Sequence, residues 1–307
     1  MGRGSYQASD WLNLCSSRGL HKSAPAEKVF TDHQVSKEFD VHSVAFREAR
    51  DSEDSPQSTP VIIGFDVTAS MGYLAAELAV NALNRTVQTL LKEKPILCPQ
   101  VLCSAIGDSR CDAYPLQVTQ FESDIRMVEQ LTRLYLEGGG GGNGGESYHL
   151  LWYFAAHHTV MDCYEKRHKK GYLFTIGDDN CHTQLLSQEI QRVFGDACLY
   201  GYTNEKLLKE VQQYYEVFHI HIESDRSCDA AVFSSWRSLL DGHAVRLHRK
   251  DIHFLADLLC AMISVSEGQN LNAVLKRMDQ SAAERIAPSM ALVSVQHTVS
   301  DNKTISF

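Results

Sequence analysis

Apolar residues along this chain fall into two alternating kinds of run. Val61–Phe65, Val101–Ile106, Gly171–Ile176 and Tyr215–Ile222 are short and rich in branched and aromatic residues. Runs of that length and composition are the mark of strands buried in a sheet. Between them the spacing changes to that of helices. In Tyr73–Lys92 the apolar positions are Leu74, Leu78, Leu83, Val87, Leu90 and Leu91, one face of a helix. Phe121–Leu134 repeats the spacing with Ile125, Val128, Leu131 and Leu134. Helices are also predicted over Ser147–Met161, Thr183–Phe194, Asn204–Gln213, Ala230–Leu240 and Ile252–Val265. Leu116–Gln120 reads as an edge strand and Ala244–Leu247 as a short strand. Strands alternating with helices define an α/β fold: a doubly wound, mostly parallel central sheet with helices on both faces. The pattern is confined to residues 59–265. Residues 1–58 are polar and irregular, an N-terminal arm and linker expected to pack through a few apolar points such as Trp11 and Phe39. Residues 266–307 form a short C-terminal extension, helical around Leu271–Met278 and then a polar tail.

Three of the predicted strands run into acids: Asp66, Asp108 and Asp178. In open α/β sheets ligands bind at the carboxyl ends of the strands, so these acids converge on the expected binding edge. Asp66 is followed by hydroxyl residues at alternate positions, Thr68 and Ser70. Carboxylate and hydroxyl oxygens on a tight turn suit a hard cation, magnesium or manganese. A second unusual stretch, Gly138–Glu146, is glycine at seven of its nine positions. Ordering so much glycine costs backbone entropy. Its place inside the domain, ahead of a helix, suits a loop whose backbone approaches a ligand.

The stretch Asp66-Val67-Thr68-Ala69-Ser70 resembles the metal-ion-dependent adhesion site of the von Willebrand factor A domain, whose pattern is Asp-x-Ser-x-Ser after the first strand. Thr175-Ile176-Gly177-Asp178 resembles that family's third loop, with the Asp displaced toward Asp178 or Asp179. The second, Gly-bearing loop carries a Thr in the family. Here Asn143, Glu146 or Ser147 would have to replace it. The resemblance covers about Pro60 to Val265. The block Leu136–Thr159 also resembles uncharacterised bacterial and bacteriophage proteins with this domain. What the resemblance implies is a binding module in which Asp66, Thr68, Ser70 and Asp178, with Asn143 or Glu146, hold Mg2+ or Mn2+. An open position on the ion then accepts a carboxylate from a partner protein.

Composition narrows the partners. The chain of 307 residues has a formal net charge of −9, which repels phosphate backbones, so no nucleic-acid partner is expected. The nine cysteines form no CxxC pair, pointing to reduced thiols and a cytoplasmic location. No apolar window is long enough to span a membrane, and Met1–Tyr6 lacks both the apolar run of a secretory leader and the Ser or Thr of a myristoylation signal. A haloacid-dehalogenase-type phosphatase would need a second acid two residues after Asp66, where Thr68 stands. A phosphate loop would follow its glycines with Lys, where Glu146-Ser147 stands. A metal-assisted hydrolase or nucleotide-dependent enzyme using the same strand-end pocket is the alternative reading. His157-His158 and His219/His221 read as packed or solvated histidines, while Cys181-His182 lies close enough in sequence to border the metal site.

Overall fold

The computed structural model describes residues 6–19, 26–68, 71–77, 81–139 and 144–293. In chain order the elements are α1 (Ala8–Arg18), α2 (Ala26–Val29), β1 (Arg47–Ala49), β2 (Thr59–Asp66), α3 (Gly72–Glu77), α4 (Leu83–Glu93), β3 (Pro99–Ile106), β4 (Leu116–Val118), α5 (Arg126–Leu131), α6 (Tyr148–His157), β5 (Thr159–Met161), α7 (Asp162–Arg167), β6 (Gly171–Gly177), β7 (Gln184–Leu185), α8 (Ser187–Phe194), β8 (Tyr202–Thr203), α9 (Asn204–Val211), β9 (Tyr215–Glu223), α10 (Asp229–Leu240), β10 (Ala244–His248), α11 (Leu255–Ser266), α12 (Leu271–Arg277) and α13 (Gln280–Met290).

Six strands form the main sheet in the order β10-β9-β6-β2-β3-β4. The edge strand β4 runs antiparallel to β3, and every other neighbouring pair is parallel. The chain enters at β2, winds to the β4 edge, returns to β6 and winds out to β10. Strand order therefore reverses between β2 and β6, the position at which open α/β sheets commonly bind their ligands. Successive side chains of a strand point to opposite faces, so Val61, Ile63 and Phe65 join one buried cluster and Ile62 the other. Residues of α3, α4, α5 and α11 to α13 fill the first cluster, and those of α6, α8, α9 and α10 the second. The expected doubly wound α/β fold, with helices on both faces, is what forms.

Several element boundaries differ from the expectation. The helix expected over Ser147–Met161 ends at His157, because Thr159–Met161 pairs in parallel with Arg47–Ala49 of the arm. Within Tyr73–Lys92, Gly72–Glu77 and Leu83–Glu93 are helical as expected. Only Arg126–Leu131 is helical within Phe121–Leu134, although Phe121 and Leu134 are buried. Gln184–Leu185 pairs with β8 before α8 starts at Ser187. Part of the predicted polar tail is instead α13, which buries Ile286 and Met290.

The arm meets the body at Trp11 and Phe39, both buried. Val118 of β4 donates its amide to the Phe39 carbonyl at 2.9 Å, and the buried Arg47 donates to the carbonyls of Val118 and Glu38. The arm thus covers part of the exposed side of the edge strand, which would otherwise offer unpaired backbone groups. Arg50 pairs with Asp162 and Glu165, and Arg167 with Asp51. All nine cysteines are free thiols. Among the described residues no helix is long and apolar enough to cross a membrane.

Candidate functional site

Asp66 is the last residue of β2 and is fully buried. Thr68 donates its backbone amide (2.8 Å) and its hydroxyl (2.6 Å) to Asp66 Oδ1. This is the local turn that an Asp with a hydroxyl two residues on favours. Tyr148, the first residue of α6, donates its hydroxyl to Asp66 Oδ2 at 3.1 Å. Burial pushes the Asp66 carboxyl up to about 7; the Thr68 and Tyr148 bonds work against the shift and the negative charge of Asp178 adds to it. Tyr148 reaches this position over a strand end with no side chain. A Cβ on Gly177 would lie 1.9 Å from its hydroxyl oxygen.

Glu146 closes the glycine-rich loop. Its amide donates to the Asn180 carbonyl (2.8 Å), and its carbonyl accepts from the His182 amide (3.1 Å). The loop end is thereby stitched to the chain that follows β6. Glu146 is 7% exposed, and its Oε2 is buried without a hydrogen-bond partner. Burial, and then the negative charges of Asp66, Asp108, Asp112 and Asp179, push this carboxyl up to about 9. Ser147 has a different role: its hydroxyl donates toward Asp108 Oδ1 at 3.2 Å and accepts the Ser109 amide at 2.9 Å.

Asp108, just beyond β3, is fully buried and lies 2.8 Å from His182 Nε2. Its amide donates to Asp112 Oδ2 at 2.7 Å. Asp112 in turn lies against the glycine-rich loop, where a Cβ on Gly139 would fall 1.8 Å from its Oδ1. The backbone passes this acid because residue 139 has no side chain. Of the Cys181-His182 pair, His182 meets Asp108.

Asp178 follows β6 and is nearly buried. Arg226 Nη1 sits 3.0 Å from its Oδ2, and Arg226 Nη2 donates to its backbone carbonyl. The Trp236 indole N–H donates to the Asp179 carbonyl at 3.0 Å.

Of the six residues expected to hold an ion, Asp66, Thr68, Glu146 and Asp178 are at this sheet edge. Ser70 and Asn143 lie outside the described residues. Sequence reasoning missed Tyr148 and Arg226, which contact Asp66 and Asp178 directly, and Asp112. Tyr148 could have been suspected from its place just after the glycine-rich loop. Arg226 carries no local signal. His219 and His221 pack inside, as expected. Their rings are 6.4 Å apart, His219 stacks on Trp236, and burial keeps His219 well below the ordinary histidine value and His221 at about 4.

The donor set suits a hard divalent cation in kind. The acids supply only oxygen, Glu146 Oε2 has no partner, and buried like charges oppose one another. The geometry as it stands is not closed around an ion. Asp66 Oδ1 is taken by Thr68, Asp178 by Arg226, and among the described residues no group of three or more His, Cys, Asp or Glu side chains is arranged to hold a metal.

No protein-family model matches the chain, and no curated protein does. Among solved structures it is similar to the pilus adhesin SpaC from Lactobacillus rhamnosus GG in its open conformation, at 8% identity and a TM-score of 0.45, over 71% of this chain and 31% of that one. It is also similar to proximal thread matrix protein 1 from the mussel byssus, at 9% identity and a TM-score of 0.45, over 67% of this chain and 48% of that one. The chain spans less than half the length of either, and matches this distant carry no functional argument.

Proposed function

We propose that the chain is a metal-dependent protein-interaction module of the von Willebrand factor A type, acting in the cytoplasm without a nucleic-acid or membrane partner. Asp66, Thr68, Ser70 and Asp178 would hold Mg2+ or Mn2+, with Glu146 or Asn143 completing the shell. The bound ion supplies a strong positive charge with a coordination position for an Asp or Glu carboxylate of the partner. The chain's own residues do the rest. Thr68 and Tyr148 orient the Asp66 carboxylate. The pairing of Glu146 with Asn180 and His182 holds the chain at residue 146 against the loop after β6.

One observation carries this reading: Glu146 Oε2 is buried without a partner in a pocket of like charge. A carboxyl buried in this way ionises only when a cation pairs with it, and a divalent cation would displace its proton and satisfy the orphaned oxygen. The strand order supports the same reading, since β2 and β6 flank the reversal and β6 is the fourth strand of the main sheet in chain order. Isothermal titration of Mg2+ and Mn2+ into wild type and Asp66→Ala tests it. Saturable heat in the wild type and none in the variant is expected, and equal binding by both would sink the proposal.

The alternative, a metal-assisted hydrolase or nucleotide-dependent enzyme, draws on the same Glu146, a buried acid that keeps its proton near neutral pH. Turnover in a phosphatase and nucleotidase panel with Mg2+, abolished in Glu146→Gln, would favour it over the binding module.

A further inference from the structure

Asp178 already has a cation. Arg226 lies on the loop between β9 and α10 and makes three contacts there. Nη1 is 3.0 Å from Asp178 Oδ2, Nη2 donates to the Asp178 carbonyl, and Nε donates to Asp229 Oδ1 at 2.9 Å. The loop presents the guanidinium by construction. Asp225 stands in the left-handed region at φ 64°. Asp229 Oδ2 accepts the amides of Ser224 and Arg226, both at 2.9 Å. Asp229 thus holds Arg226 by backbone and side chain together, and would keep the guanidinium charge paired through Nε if the other two contacts broke.

We propose that Arg226 is the resident counterion of Asp178 and sets the affinity and selectivity of the strand-end site for its divalent cation, which enters only when the arginine fork swings off Asp178 and stays on Asp229. This rests on the metal-binding reading above. It accounts for why the acids at this edge are not already closed around an ion. With Arg226 in place, the Asp178 carboxylate faces a monovalent, forked donor, and its carbonyl is taken as well. A forked arginine is hard to displace by a singly charged ion and easier to displace by a doubly charged one. The site thereby discriminates against Na+ and K+ without any change in its ligands.

The test is calorimetric titration of Mg2+ and Mn2+ into wild type, Arg226→Gln, Arg226→Lys and Asp66→Ala, each checked for folding by its thermal transition. Removing one competing, partly exposed ion pair is expected to tighten binding in Arg226→Gln by about five- to tenfold. Arg226→Lys keeps the charge and should stay nearer the wild type. A second measurement uses the unaltered protein. Phenylglyoxal labelling of Arg226, followed by peptide mass spectrometry, should rise several-fold when Mg2+ is added and not when K+ is added at equal ionic strength. Binding by Arg226→Gln that equals or falls below wild type, or labelling that is unchanged or reduced by Mg2+, overturns the role of Arg226 while leaving the metal site standing. Absence of binding in every protein, or wild-type binding by Asp66→Ala, overturns the metal-binding reading and this inference with it.

Discussion

Glu146 concentrates the electrostatics of the site in one residue. Its carboxyl is raised from 4.5 to about 9, so the folded protein holds this proton more tightly than the unfolded chain. The stabilisation from that proton is complete below the ordinary glutamate value and is lost as pH rises toward 9. Glu146→Gln copies the protonated form. At pH 8 without metal it should be more stable than wild type by about 1–3 kcal/mol in urea denaturation, a difference that vanishes below pH 4.5. No gain at pH 8 would show that the carboxylate is not strained there. Gly177 offers a steric test of the same site. A methyl group there meets the Tyr148 hydroxyl, so Gly177→Ala should cost about 2–3 kcal/mol, seen as a lower denaturation midpoint. Legibility at this scale follows distance along the chain. The Asp66–Thr68 turn was readable because its partners are two residues apart. The bonds from Tyr148 to Asp66 and from Arg226 to Asp178 join residues 82 and 48 positions apart, and no local pattern encodes them.

The elements follow their apolar periodicity wherever packing against the sheet is the main demand. The strands β2, β3, β6 and β9 were legible because each must be apolar to be buried between two layers of helices. Boundaries went astray where a distant segment competed for the backbone. Thr159–Met161 extends a helical pattern, yet its amides and carbonyls pair with the arm strand. Arg47 donating its amide to the His158 carbonyl at 2.9 Å begins that pairing. The arm is held by Phe39 as well, which has no exposed surface. Phe39→Ala should destabilise the protein by about 3–5 kcal/mol, the usual cost of emptying a buried aromatic site. A single cooperative urea transition shifted by that amount is expected. A separate early transition would mean that the arm folds independently of the sheet.

For the molecule as a whole, the two buried clusters on either side of the sheet are what bring the chemistry to one edge. α11 is apolar over most of its surface and needs cover on its outer side, and α12 and α13 supply it. Ending the chain after Ser266 should therefore expose apolar surface and lower the melting temperature, measurable by differential scanning fluorimetry, together with increased aggregation in light scattering. An unchanged melting temperature would assign the two last helices to another role. The sequence by itself determined the fold class, the order of strands and helices, and the acids at the strand ends, because burial and periodicity are properties of contiguous residues. Only the tertiary structure decided which strands adjoin, that the order reverses between β2 and β6, and that Glu146 Oε2 is buried without a hydrogen-bond partner while Asp178 is given to Arg226. Those outcomes depend on which remote segments come to share a low-dielectric space, and that is settled by packing across the sheet.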